Sequence, residues 1–104
     1  MLRWLNEILE LDNVQYDYTS QEPPTDQHTI LRDVVRFEKT TYLQSGRRVY
    51  KELQSHYYWY VDNLHFGASA HLEVFDSHGV HVGESNLEGS IDKAKRDPNK
   101  RIDV

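Results

Sequence analysis

Two hydrophobic periods run along this chain, and the change between them falls near residue 40. In the first dozen residues Trp4, Leu5, Ile8, Leu9 and Leu11 recur three and four apart, while Arg3, Glu7 and Glu10 lie off that stripe. The spacing predicts a short amphipathic helix, one that is marginal alone and needs a surface to dock on. Residues 13–29 are polar and interrupted by Pro23-Pro24, which predicts a break. Ile30, Leu31, Val34, Val35 and Phe37 fit either period, with a lean towards helix. Residues 1–40 are therefore expected to form a helical appendage that serves dimerisation or targeting.

From residue 41 the period is two. Thr41-Tyr42-Leu43 and Arg48-Val49-Tyr50 flank Gln44-Ser45-Gly46, a hairpin pattern, and His56–Asp62 is a run of aromatic and β-branched residues that favours strand. His71–Phe75 follows, then a turn at Asp76-Ser77-His78-Gly79 that suits a left-handed glycine, then Val80-His81-Val82. From Glu84 the sequence is polar and turn-rich. The expected class is α+β: a short N-terminal helical region, then an antiparallel sheet over residues 41–104.

Alternation assigns the faces. Trp59 and Val61, Leu72 and Val74, and Val80 and Val82 share one side and make the candidate core. The other side would present Tyr58, Tyr60, Asp62, His71, Glu73 and His81 as an open polar surface. Five of the six histidines (56, 65, 71, 78 and 81) fall within 26 residues, and His65 lies in the loop just after Asp62.

Composition narrows the options. With 104 residues, 38% of them apolar, and a mean hydropathy of -0.79, the chain suits one domain with a small core. The lack of cysteine excludes a disulfide scaffold, a thiolate zinc site and a cysteine nucleophile. No run approaches the roughly 18 apolar residues of a membrane span, and the opening residues lack the apolar stretch of a secretory signal. Seventeen acids against twelve bases give a net charge of -5, which by itself argues against a nucleic-acid partner. The bases are unevenly placed, however. Lys93, Lys95, Arg96, Lys100 and Arg101 cluster at the end, and Arg47, Arg48 and Lys51 form a second group. Such runs are ordinarily solvated faces.

Three readings of the polar surface compete. RNA cleavage by its own 2′-OH needs a base for that hydroxyl, an acid for the leaving 5′-oxygen and a cation for the phosphorane. Glu73 or His71 as base, His65 as acid, Asp62 as its orienting partner and a C-terminal Lys or Arg as cation fill every role. Tyr58 and Tyr60 would stack on unpaired bases, with His81, Lys93, Lys95 and Arg96 as further substrate contacts. Alternatively, His71-x-Glu73 and His81 on the next strand could hold a metal ion. The third reading is an exposed sheet face that binds nothing, or binds a protein partner.

The order of the motifs adds to the first reading. Gly46-Arg47-Arg48-Val49-Tyr50 is followed by an aromatic residue shortly before Asp62-x-x-His65, then by Leu72-Glu73 and the turn. Gly79-x-His81-x-Gly83, Gly89 and Asp97-Pro98 come next, ahead of Lys100, Arg101 and Ile102. In this order and spacing the segment from about Gly46 to Ile102 resembles the cytotoxic ribonuclease domain of the rRNA-cleaving E-group colicins, also carried by some contact-dependent inhibition toxins. The resemblance implies a compact, highly twisted antiparallel sheet that cuts small-subunit ribosomal RNA at the decoding site without a metal. It places the family's Asp, His and Glu on Asp62, His65 and Glu73. Glu73 would then activate the 2′-OH, with His65 as acid or phosphate-stabilising cation and Asp62 holding its ring. The family's Arg falls on Lys100, with Arg101 one residue later, so either is a candidate cation. The spacing from His65 to Glu73 is longer here, which brings in His71 as a sharer of the His65 role. The family's domains are basic, whereas in this chain acids outnumber bases before Tyr42.

The expectation is a bacterial toxin endoribonuclease without cofactor, acting on RNA or the ribosome in the bacterial cytoplasm, of a target cell or of its producer. No membrane partner is expected. A cognate immunity protein or antitoxin would restrain it by covering the substrate face. The alternatives are a non-catalytic binding module (a degenerate toxin) on the same face, or a His/Glu metal site.

Overall fold

The computed structural model describes residues 15–104, and the helix expected over the first dozen residues lies outside them. Among the described residues the fold is mostly β. Six strands form one antiparallel sheet in chain order: β1 (Phe37–Gln44), β2 (Arg47–Glu52), β3 (Tyr58–Val61), β4 (Leu72–Phe75), β5 (His81–Ser85) and β6 (Ile91–Asp92). Helical geometry is confined to single 3-10 turns at Asp26–His28, Ile30–Arg32, Gly67–Ser69 and Lys93–Lys95.

The helix expected over Ile30–Phe37 is therefore replaced by one turn and the start of β1. Thr29 caps the single turn, and Asp33 takes a backbone donor that a longer helix would use. Thr29 Oγ1 accepts from Leu31 N at 3.1 Å, and Asp33 Oδ1 accepts from Val35 N at 3.0 Å. Leu31 enters the core, while Val34 and Val35 stay 83% and 82% exposed.

The strands follow the expected pattern. Ser45 and Gly46 both take positive φ, 51 and 78, as a two-residue turn matched to the twist of its strands requires. The β3–β4 pairing sets Trp59 against Val74, Tyr60 against Glu73 and Val61 against Leu72. Trp59, Val61, Leu72 and Val74 thus share a face, packed with Phe37, Tyr50 and Leu87. Tyr16 and Leu31 belong to the same core, so residues before 40 contribute to it. Arg47 fastens that segment by donating to Pro24 O at 2.6 Å, and Tyr50 Oη donates to Asp26 Oδ2 at 3.0 Å. Burial, then the Asp26 charge, push the Tyr50 phenol up to about 12. Arg48 donates to Thr40 O at 2.8 Å, so the Arg47/Arg48 pair is tied into the fold.

The opposite face is not the open surface that alternation suggested. Val49, Tyr60, Phe75 and Ile102 make a second, smaller core there. The C-terminal segment supplies its cover: Ile102 N donates to Gly79 O at 3.0 Å, His81 N donates to Lys100 O at 3.2 Å, and Val80 bridges Arg101. Gly79 permits this approach, with φ 81 and a position where a Cβ would lie 2.2 Å from Ile102 O. The same pairing brings Lys100 onto β4.

Candidate active site

Glu73 lies in β4 opposite Tyr60 on β3 and Glu84 on β5, and has no solvent exposure. A carboxylate in such a place needs partners. Lys100 Nζ donates to its Oε2 in a close ion pair, and His81 Nε2 lies 3.3 Å from its Oε1. The chain itself sets the His81 tautomer. Asp97 N–H donates to Nδ1 at 2.8 Å, so the ring hydrogen of the neutral imidazole sits on Nε2 and faces Glu73. Burial alone would lower the Lys100 ammonium, but the hydrogen bond and charge of Glu73, helped by Asp62 and Glu84, shift it upward on balance. Burial, then the charges of Glu73 and Asp62, push the Tyr60 phenol up to about 12.

Asp62 follows β3 and opens the loop that returns to β4, whose ends are joined by Asp62 N donating to His71 O at 3.2 Å. Its Oδ1 accepts from Leu64 N at 2.6 Å and lies 3.2 Å from His65 Nδ1, while its Oδ2 lies 3.2 Å from His71 Nε2. One carboxylate thus holds two imidazoles, with ring centroids 4.9 Å apart. Burial would raise the Asp62 carboxyl, yet the Leu64 N–H and the two histidines bring it below its ordinary value. The His71 side chain is 13% exposed, and its Nε2 also lies 3.7 Å from Glu73 Oε1 and from Glu84 Oε1. The His65 side chain is 48% exposed, and its Nε2 meets no protein partner among the described residues. The loop is pinned by Gly67 N, which donates to Tyr16 Oη at 2.9 Å.

His65, His71 and Glu84 line a cleft of about 680 Å³ with Ser69, Asn86 and Lys95 among others, while Asp62, Glu73, His81 and Lys100 lie outside its lining. Of the residues expected from sequence, Asp62, His65, His71, Glu73, His81 and Lys100 form one continuous set of polar contacts, and Lys95 joins the cleft wall. Lys93 and Arg96 border a different hollow, with Tyr57 and Val80. Arg101 is exposed and makes no ion pair with Glu73 or Asp62 among the described residues, which leaves Lys100 as the cation at this carboxylate. Tyr60 is buried and stacked on Phe75 at 5.8 Å, so its ring faces are not open to a base. Tyr58 is half-buried, edge-on to Tyr42 and beneath Lys51.

The alternative His71/Glu73/His81 metal set does not assemble, because both His81 nitrogens are engaged. The groups whose ligand atoms converge are Asp62, His65 and His71, and separately His71, Glu73 and Glu84. Glu84 escapes the sequence reading for a specific reason. Strict alternation from His81 puts it on the core face, but a bulge pairs Phe75 with His81 and Val74 with Gly83, and so turns Glu84 towards Glu73.

Comparison with protein-family models, with curated proteins and with solved structures gives no match to this chain. Among the described residues no helix is long and apolar enough to cross a membrane.

Proposed function

We propose that the chain is a toxin-type endoribonuclease that cleaves RNA, in the first place small-subunit ribosomal RNA near the decoding site, by acid–base catalysis without a metal. One observation carries this reading. A half-exposed imidazole backed by a carboxylate, His65 on Asp62, lies in the same polar set as a buried carboxylate capped by an ammonium, Glu73 under Lys100. The resemblance over Gly46 to Ile102 supports it.

In the proposed reaction the substrate phosphate draws Lys100 Nζ away from Glu73 Oε2 and uncovers the base. Glu73 takes the 2′-OH proton, and the oxygen attacks phosphorus. Lys100 balances the charge on the phosphorane, and His65, protonated and held by Asp62, gives a proton to the leaving 5′-oxygen. The products are a 2′,3′-cyclic phosphate and a free 5′-OH. His71 spaces the Asp62 and Glu73 carboxylates. A cognate immunity protein or antitoxin that covers the cleft belongs to the same proposal, as does action in the bacterial cytoplasm.

A second reading is favoured by the sealing of Glu73, which has no exposed surface. A non-catalytic binding module would keep Glu73 and Lys100 as a structural pair and need no opening. Incubating purified ribosomes with the protein in EDTA, then extending a primer across the small-subunit RNA, separates the two. A single new cut near the 3′ end, absent with Glu73→Gln, is expected. If folded protein cuts neither ribosomal, transfer nor messenger RNA, the binding module stands instead.

A further inference from the structure

We infer that Asp62, His65 and His71 form a site for one divalent transition-metal ion of the zinc class, and that an ion there blocks the acid–base pair. The binding rests on geometry alone; only the inhibition rests on the ribonuclease reading.

The ligand atoms of the three residues lie within 4.8 Å of one another, and the two carboxylate–imidazole separations are both 3.2 Å. A tetrahedral zinc ion with bonds of about 2.0–2.1 Å holds neighbouring ligand atoms about 3.3–3.4 Å apart. Each imidazole thus already stands near that edge length from one oxygen of the Asp62 carboxylate, His65 from Oδ1 and His71 from Oδ2.

His71 carries the argument further. Its Nδ1 lies 3.0 Å from the Ser69 carbonyl, which can only accept, so the ring hydrogen sits on Nδ1. In the neutral ring the Nε2 lone pair then faces Asp62 Oδ2 at 3.2 Å, with Glu73 Oε1 and Glu84 Oε1 each at 3.7 Å. The three carboxylates so placed around Nε2 would each attract a cation seated there. A backbone carbonyl on the far nitrogen is also the usual device for orienting a metal-ligating histidine. Two imidazoles with carboxylates suit zinc better than magnesium or calcium, which take oxygen ligands. The cleft gives the ion a path in, since His65, His71 and Glu84 all line it. Once coordinated, His65 no longer forms the imidazolium that the proposed reaction uses as its acid.

The test is calorimetric titration of zinc sulfate into the full chain, first stripped with EDTA and dialysed. One ion per chain is expected for the wild type and for His78→Ala, which alters an exposed histidine of the Asp76–Gly79 turn. Affinity should weaken by more than about tenfold in His65→Ala, His71→Gln and Asp62→Asn. The half-exposed His65 makes its variant the one that decides the matter if the other two fail to fold. No binding by the wild type, or unchanged binding by His65→Ala, overturns the site. A chain that cuts no RNA still gives a decisive titration. RNA cleavage that persists with zinc bound overturns the inhibition while leaving site and activity standing.

Discussion

The two faces of the sheet use the same strands to opposite ends. On one, Trp59, Val61, Leu72 and Val74 are fully buried among Phe37, Tyr50, Leu31 and Leu87, and apolar area removed from water is the main part of their contribution. On the other, alternate residues of the same strands bury Glu73 and His81 beside Tyr60 and Phe75. There the loss of hydration of the charged groups offsets much of their attraction, so an ion pair in that place is weak evidence of stabilisation. Charge held where it adds little stability is what a reacting site requires, and under the proposed function the difference between the faces puts that site on β4.

The sharpest way to break this comparison is Glu73→Gln. Cleavage is expected to fall by about 10²–10⁴, the usual range for a general base, while the unfolding free energy in urea stays nearly level, because the amide oxygen still accepts from His81 Nε2 and the Lys100 side chain, 41% exposed, can turn to water. A large loss of stability would instead make the pair part of the scaffold. On the apolar face, Trp59→Ala is expected to cost about 3–5 kcal/mol by the same urea measurement, through the cavity it leaves.

Gly79→Ala probes the join between the faces. Its Cβ would meet Ile102 O in a backbone conformation with φ 81. A cost of about 1–3 kcal/mol is expected, with slower cleavage because the segment carrying Lys100 must shift.

Smaller effects come with pH. The Asp62 carboxyl sits below its ordinary value, so its contribution is complete above its unfolded value of about 3.9 and is lost as pH falls through the lower folded one. The Lys100 ammonium is raised, so its contribution is complete below about 10.4 and is lost as pH rises through the folded value. Unfolding followed against pH should show the acid limb flattened in Asp62→Asn and the alkaline limb flattened in Lys100→Met. Least of all, Arg101→Ala should leave cleavage unchanged and stability within about 0.5 kcal/mol, in contrast to Lys100→Ala.

Much of the strand pattern and of the candidate site is legible in the sequence alone. A period of two from residue 41, with turns at Ser45-Gly46 and Asp76–Gly79, marks the strands and puts Trp59, Val61, Leu72 and Val74 together. Asp62, His65, His71 and Glu73 follow from the same alternation and from the loop between β3 and β4. What stays hidden is non-local. Nothing in the spacing says that residues 97–102 return to cover Tyr60, Phe75 and Glu73, because that contact is made between backbones across Gly79. The open face of stacking tyrosines is therefore an expectation that the fold does not meet. Glu84 is hidden by one extra residue in β5, since a bulge reverses the face of everything beyond it. The helix expected over Ile30–Phe37 stops after one turn because the Asp33 carboxylate takes the Val35 and Arg36 backbone donors that a longer helix would use.

The central claim is that the polar face carries acid–base chemistry on RNA. It is tested most directly by the single-turnover rate of ribosome cleavage in EDTA, measured side by side for the wild type and Glu73→Gln. A single cut by the wild type, slowed at least about a hundredfold in the variant, is the expected result. Equal rates for the two proteins, or no cut of ribosomal, transfer or messenger RNA by either, would contradict it.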